Sequence, residues 1–259
     1  VVELLPHLMG GLDPELVKPV AQRFKKQGGT IHFETSAKGV EERGDHAVLL
    51  ATDKSGKALE IPCDKVIVAI GFRPNSEGIG LEAAGVETDA RGFVPVDSQC
   101  RSNVPSIFAI GDLTGAPFLA HRASKHGIVA AEVIAGLPSL CDFMAMPAGT
   151  FSDPEVATVG LTEQEAIAAG HEVHVGRFPF AALGRALASN DTAGLVKVIG
   201  DQKSGLLLGV GVTGPGANTM IAEAALAIEM GAQVEDLALT VHSHPTFSEA
   251  MMEAAEDFL

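Results

Sequence analysis

At 259 residues the chain has room for one large domain or two smaller ones, and a 46% hydrophobic content is ample for a packed core. A formal charge of −15, from 18 basic and 33 acidic side chains, argues against a nucleic-acid surface and against attraction to anionic membranes. The 29 glycines, with no Trp and no Tyr, suit an α/β protein whose backbone turns tightly beside a ligand.

The chain opens Val1-Val2-Glu3-Leu4-Leu5, which reads as a short buried strand. There is no initiator Met and no targeting segment, so a truncated sequence and a cytoplasmic location are expected. Asp13-Pro14-Glu15-Leu16 predicts a helix start, with Asp13 as the cap and Pro14 at the first helical position. Leu16, Val17, Val20 and Phe24 give that helix one apolar face, and Gly28-Gly29 stops it. Thr30–Glu34 reads as a strand. Val40–Glu41, Ala47–Thr52 and Ala58–Pro62 read as antiparallel strands joined by Arg43-Gly44-Asp45 and Lys54-Ser55-Gly56 turns.

Lys65–Gly71 is a continuous apolar run, as expected of a strand buried on both faces. Ser106–Asp112 is a second such run, and both contain Ala-Ile-Gly. They suggest two nucleotide-binding sheets, each ending a strand on a glycine beside a ligand, with Phe72-Arg73-Pro74-Asn75 as the crossover. A helix is predicted from about Leu119 to Ala135, ended by Gly136-Leu137-Pro138, and Cys141–Thr150 is linker-like.

Beyond that point Thr162-Glu163-Gln164-Glu165 is a capping box before a short helix. Val173–Phe180, Leu195–Gly200 and Leu206–Val212 read as strands of an antiparallel sheet. Thr219–Met230 is an apolar helix and Glu235–Leu239 a helical turn. The uncharged stretch Ser204–Ala222 is broken by five glycines, Pro215 and Asn218, so it reads as strand, turn and helix rather than a membrane span. Cys63, Cys100 and Cys141 lie far apart, without the spacing of a metal site or redox dithiol, and are expected to be reduced thiols.

The chemistry concentrates in His242-Ser243-His244-Pro245-Thr246-Phe247-Ser248-Glu249. It sets an imidazole and a carboxylate on either side of a proline, at the start of a final helix. A His held by a carboxylate makes a general base that works near neutral pH. Thr246 to Glu249 is also a capping-box spacing, so Glu249 can equally serve the helix end.

This run resembles the His-Pro-Thr-x-x-Glu signature of the flavin-dependent pyridine nucleotide–disulfide oxidoreductases. The rest of the chain is most similar to the dihydrolipoamide dehydrogenases among them, over their C-terminal half. Interface-domain motifs are matched at Phe151–Gly160 and Gly184–Ala188. The resemblance implies a partial Rossmann-like NAD-binding domain over 1–72, the C-terminal part of an FAD-binding domain over 73–145, and an α+β interface domain over 146–259. The expected fold is thus α/β plus α+β.

It also implies roles. His244 and Glu249 would handle the thiol proton of dithiol–disulfide exchange, and His242 would be structural. Gly111 and Asp112 would meet the ribityl chain of FAD. The helix start at Leu119, Ala120 and His121 would offer backbone N–H groups to the flavin ring, with Phe118 where the family has Met. Glu3 would bind the adenosine ribose of NAD, Gly71 would pack on its nicotinamide half, and Ala37 would line its adenine. No metal is implied. The family forms homodimers in which the His–Glu pair of one copy serves the disulfide of the other. Its partner is the lipoyl domain of a 2-oxo acid dehydrogenase or glycine cleavage complex. No Cys-x-x-x-x-Cys is present, and no Gly-x-Gly-x-x-Gly is expected in the chain, so both dinucleotide pyrophosphate cradles are expected to be missing. The fragment alone is therefore expected to be inactive. A glutathione or mercuric reductase, or a non-catalytic dimerisation fragment, are the other readings.

Overall fold

A computed structural model describes the whole chain, Val1–Leu259. Packing divides it into two units, residues 1–67 together with 144–259, and residues 68–143. At the start, Val2 pairs with His32 in a single parallel bridge, so the two short strands expected there are reduced to one point of pairing. Helix α1 (Pro14–Lys26) begins as its sequence demands: Asp13 Oδ1 accepts the Glu15 N–H at 2.8 Å, and Gly28 leaves the helix at φ +91°. Strands β1 (Ser36–Arg43), β2 (His46–Thr52) and β3 (Ala58–Cys63) form an antiparallel meander, the first starting earlier than its alternation suggests.

The run Lys65–Gly71 corrects an expectation. It forms no strand, and Ile67 and Ile70 are 92% and 94% exposed. A strand of a parallel sheet is buried only because neighbours pair with both of its edges; here no strand of the chain pairs with this run. The second run, ending at Gly111, likewise makes only the bridge Arg101–Phe108, although Ala109 is buried with Val86 and Val94 in a small core. Helix α2 (Ala120–Ile134) follows as expected and exits at Gly136, φ +86°.

The remaining chain builds a five-stranded antiparallel sheet from β4 (Ala148–Thr150), β5 (Val156–Gly160), β6 (Val173–Pro179), β7 (Leu195–Asp201) and β8 (Leu207–Thr213), in the order β4-β5-β8-β7-β6. The first two were not legible as strands: β4 falls at the end of the linker-like stretch, and β5 lies inside the interface motif. Helices α3 (Glu163–Ala168), α4 (Gly184–Ala188), α5 (Ala217–Glu229), α6 (Val234–Leu239) and α7 (Glu249–Phe258) surround it. Thr162 closes the capping box on α3 as read from sequence.

Alternation along the strands sorts the side chains into two layers. Val196, Val198, Val210 and Val212 join Met220, Ile221 and Ala224 of α5 and Met251 and Ala254 of α7 in the main core. On the opposite face Leu16 and Val20 of α1 pack on Val156, and Ala166 of α3 packs on Ile199 and Leu208. Helices on both faces explain why β8 is buried throughout. Helix α7 approaches β6 and β7 where they carry glycine. A Cβ at Gly176 would meet the Ala254 carbonyl oxygen, and one at Gly200 would lie 2.6 Å from the Phe258 ring. That close seat fixes the helix whose first residue is Glu249.

Candidate active site

The loop between α6 and α7 presents the two histidines in opposite ways. The His242 side chain is 6% exposed, with Nε2 2.8 Å from Glu223 Oε1 on α5 and Nδ1 2.9 Å from the Thr240 carbonyl oxygen. Its partners are all protein groups, as a structural role requires. The His244 side chain is 76% exposed, and its Nδ1 lies 2.7 Å from Glu249 Oε1. A carboxylate only accepts, so Nδ1 carries the proton, and the lone pair of Nε2 faces outward. The His244–Pro245 peptide bond is cis.

Glu249 divides its oxygens. While Oε1 takes the imidazole, Oε2 accepts the Thr246 N–H at 2.6 Å, and Thr246 Oγ1 donates to the Ser243 carbonyl at 2.7 Å. The Thr246 N–H, then His244, hold the Glu249 carboxyl below the usual carboxylate range, with a smaller contribution from the charge of His242. Glu249 makes both contacts at once, as sequence allows, but α7 starts at Glu249 with Ser248 as its N-cap and no side-chain cap, so the Thr246 bond braces the loop and does not close a capping box. Phe247 is flanked by the Phe180 ring at 5.9 Å and the Arg185 guanidinium at 5.6 Å, and a Cβ at Gly184 would stand 4.0 Å from His244 Cε1. The segment 180–185 thus buttresses the pair. What the arrangement can do is accept a proton at an exposed nitrogen whose ring is oriented from behind.

In the unit 68–143, Gly111 has φ +61° and opens a short 3-10 turn, Gly111–Thr114. A Cβ there would lie 2.5 Å from the Ala123 Cβ, so only glycine lets this peptide rest against α2. Asp112 is exposed, as are Ala120 and His121, and Leu119 is half-buried in an extended conformation. No side chain caps the first turn of α2, which leaves a helix N-terminus suited to an electron-rich group. Sequence reading passes over Arg122. Its Nη1 donates to the carbonyls of Gly111, Gly115 and Pro117 at 3.3, 2.7 and 3.2 Å, and so ties the loop to the helix. Contacts to backbone carbonyls leave no signature in a motif.

Glu3 is tied to the segment before β1, since the Thr35 N–H donates to the Glu3 carbonyl at 2.9 Å. Glu3 Oε1 accepts the Leu5 N–H at 2.8 Å, and Ala37 is exposed on β1. Gly71 is exposed with φ +140° and belongs to the other unit. The expectation that the chain holds no Gly-x-Gly-x-x-Gly is corrected: one such spacing occurs, at Gly209, Gly211 and Gly214 in and just after β8. There the space of each missing side chain is filled by the Leu161 carbonyl, the Leu16 side chain and the Phe180 ring, respectively. The spacing serves close packing and leaves no room for a phosphate. No group of three or more His, Cys, Asp or Glu is placed to hold a metal ion, and no helix is long and apolar enough to cross a membrane.

Comparison with known proteins agrees over the whole chain. The family model for the pyridine nucleotide-disulphide oxidoreductase dimerisation domain matches residues 146–255, and the model for pyridine nucleotide-disulphide oxidoreductase matches residues 1–127. Dihydrolipoyl dehydrogenase of Halobacterium salinarum is 46% identical over 259 residues, 100% of this chain and 55% of that relative. The dihydrolipoyl dehydrogenase of Geobacillus stearothermophilus is 46% identical over 256 residues, 99% of this chain and 54% of that relative. The crystal structure of LpdA from Mycobacterium tuberculosis superposes with a TM-score of 0.89 at 26% identity, covering 100% of this chain and 56% of that one. The chain therefore spans about half the length of the curated relatives it matches.

Proposed function

Because the chain belongs to the pyridine nucleotide–disulphide oxidoreductase family, we propose that it is the acid–base and interface portion of a dihydrolipoyl dehydrogenase. The complete protein would oxidise a lipoyl dithiol to its disulfide and deliver the electrons to NAD. One observation carries this reading: the His244–Glu249 hydrogen bond of 2.7 Å, which leaves Nε2 open on an exposed ring. A thiol of pKa about 8.5 is mostly protonated at neutral pH, and only its thiolate attacks or gives up electrons readily. His244 Nε2 takes that proton, and Glu249 keeps the ring turned to receive it.

Residues 1–72 would contribute to the NAD-binding domain, 73–145 to the FAD-binding domain and 146–259 to the interface. Bound FAD would supply the two-electron relay between dithiol and NAD. The residues present fit its edge: Gly111 where no side chain has space, the Asp112 carboxylate, and the uncapped α2 N-terminus at Leu119, Ala120 and His121. Glu3, with its acceptor carboxylate, Ala37 and Gly71 would face NAD. His244 would serve the disulfide of a second copy in a homodimer, and the lipoyl domain of a 2-oxo acid dehydrogenase or glycine cleavage complex would bring the substrate, in the cytoplasm. The exposed apolar side chains Leu226, Met230, Leu239 and Val241 favour such association and also the plainer reading of a dimerisation fragment.

The test joins this chain to the unmatched part of the Geobacillus stearothermophilus relative and follows NAD reduction by dihydrolipoamide. Turnover is expected from the joined protein and none from the 259-residue chain supplied with FAD. Full activity in a joined His244→Ala protein would remove the basis of the proposal.

A further inference from the structure

Sequence spacing separates the three cysteines, but folding brings two of them together. Cys100 Sγ and Cys141 Sγ lie 3.5 Å apart, against about 2.05 Å in a disulfide, so an approach of roughly 1.5 Å would join them. The backbone already holds the two segments in place. Cys141 N–H donates to the Ser98 carbonyl at 2.7 Å, and Gln99 Nε2 donates to the Ser139 carbonyl at 3.2 Å. Cys100 sits at φ +63° in a turn whose Gln99 and Arg101 N–H groups both donate to Asp97 Oδ1 at 2.9 Å. Cys100 is buried and Cys141 half-buried, whereas Cys63 is occupied elsewhere, with its Sγ 3.6 Å from the Ala47 carbonyl oxygen.

We infer that Cys100 and Cys141 form an oxidation site that closes to an intrachain disulfide on reaction with a low-molecular-weight disulfide. The more accessible Cys141 attacks first: its sulfur bonds to one sulfur of the small disulfide, and the other leaves as a thiolate. Cys100 then attacks the Cys141 sulfur and displaces the second thiolate. The two cysteine sulfurs are oxidised, the small disulfide is reduced to two thiols, and the two cysteine protons end on those thiols. Burial, followed by the neighbouring Cys141, pushes the Cys100 thiol up to about 12, which counts against Cys100 as the first attacker. The bond would form next to the Gly111 loop, since Cys100 Sγ is 3.7 Å from the His126 carbonyl oxygen and His126 Nδ1 faces the Gly111 N–H at 3.4 Å.

The experiment incubates the folded chain with glutathione disulfide, quenches with acid, alkylates remaining thiols under denaturing conditions and maps peptides by mass spectrometry. A Cys100–Cys141 link is expected, with Cys63 alkylated, and dithiothreitol should restore three thiols. Cys63 is about as far from Cys100 along the chain as Cys141 is. In urea, links from Cys100 to either should form about equally, whereas the folded chain should favour Cys141 by about tenfold or more. The proposal is overturned by recovery of Cys100 and Cys141 both alkylated, by a glutathione adduct persisting on Cys141, or by equal linkage to Cys63 in the folded chain.

Discussion

Lys197→Met is the sharpest probe of how α1 is held to the sheet. Lys197 is 2% exposed on β7, and its Nζ lies 2.6 Å from Asp13 Oδ2, 2.8 Å from Glu163 Oε2 and 3.1 Å from Glu15 Oε2. Arg177 reaches the same cluster, with Nε 2.8 Å from Glu15 Oε1. Three carboxylates thus share two cations, and removing the buried one leaves three anions around Arg177. Breaking a buried ion pair costs about 3–5 kcal/mol. The Glu15 and Glu163 side chains are 38% and 37% exposed, so water screens part of the repulsion. A net loss of about 2–4 kcal/mol follows, or a fall in Tm of about 4–16 °C for a unit of this size. The dependence on pH separates this cause from lost packing. Burial pushes the Glu15 carboxyl up, but its bonds to Arg177 and Lys197 outweigh that and hold it below 4.5. Its contribution is therefore present above pH 4.5 and is lost as pH falls through the lower folded value. Burial likewise pushes Lys197 down, and its bonds to Asp13, Glu163 and Glu15 outweigh that, so its contribution holds below pH 10.5 and is lost as pH rises through the higher folded value. Urea unfolding followed by circular dichroism should show the gap between the natural chain and Lys197→Met at its widest near neutral pH, and much narrower at about pH 3. An equal gap at both would refute the electrostatic account.

Gly176→Ala places a Cβ on the Ala254 carbonyl oxygen and 2.7 Å from the Phe258 nitrogen, so α7 must move off β6; denaturation should show a loss of about 1–3 kcal/mol or more. His244→Ala removes a largely exposed ring, so stability should stay within about 0.5 kcal/mol, while dithiol oxidation by the joined protein should fall about 10²–10⁴-fold. Glu249 ionises below 4.5, first because of the Thr246 N–H and then because of His244. Its contribution to stability is present above pH 4.5 and is lost as pH falls through its lower folded value, so the deficit of Glu249→Gln should close in acid. Carboxyl NMR of His244→Ala should find Glu249 still depressed, because the Thr246 bond remains.

Elements marked by local chemistry were legible residue by residue. Asp13-Pro14 opens α1, Thr162 with Glu165 opens α3, and Gly28 and Gly136 each leave a helix at positive φ. The errors lie where neighbours decide. The apolar composition of Lys65–Gly71 states what the segment would bury, and only pairing partners could bury it. The site divides in the same way. His244 and Glu249 meet across five residues, so their spacing declares them. His242 with Glu223, Lys197 with Asp13, and Cys100 with Cys141 meet across 19, 184 and 41 residues, and no local pattern announces such pairs.

Glu249 braces its own loop and orients the His244 ring at the same time. A carboxylate with both oxygens engaged cannot rotate without breaking two bonds, so the oxygen that takes the Thr246 N–H also holds the other oxygen on the imidazole. The helix in turn is seated by the glycines of β6 and β7, where a side chain would stand in its backbone. Precision at an exposed ring therefore begins in the core: Gly176 and Gly200 seat α7, α7 fixes Glu249, and Glu249 turns His244. A base built this way needs little burial of its own, so its ring stays 76% exposed while its orientation is fixed from behind.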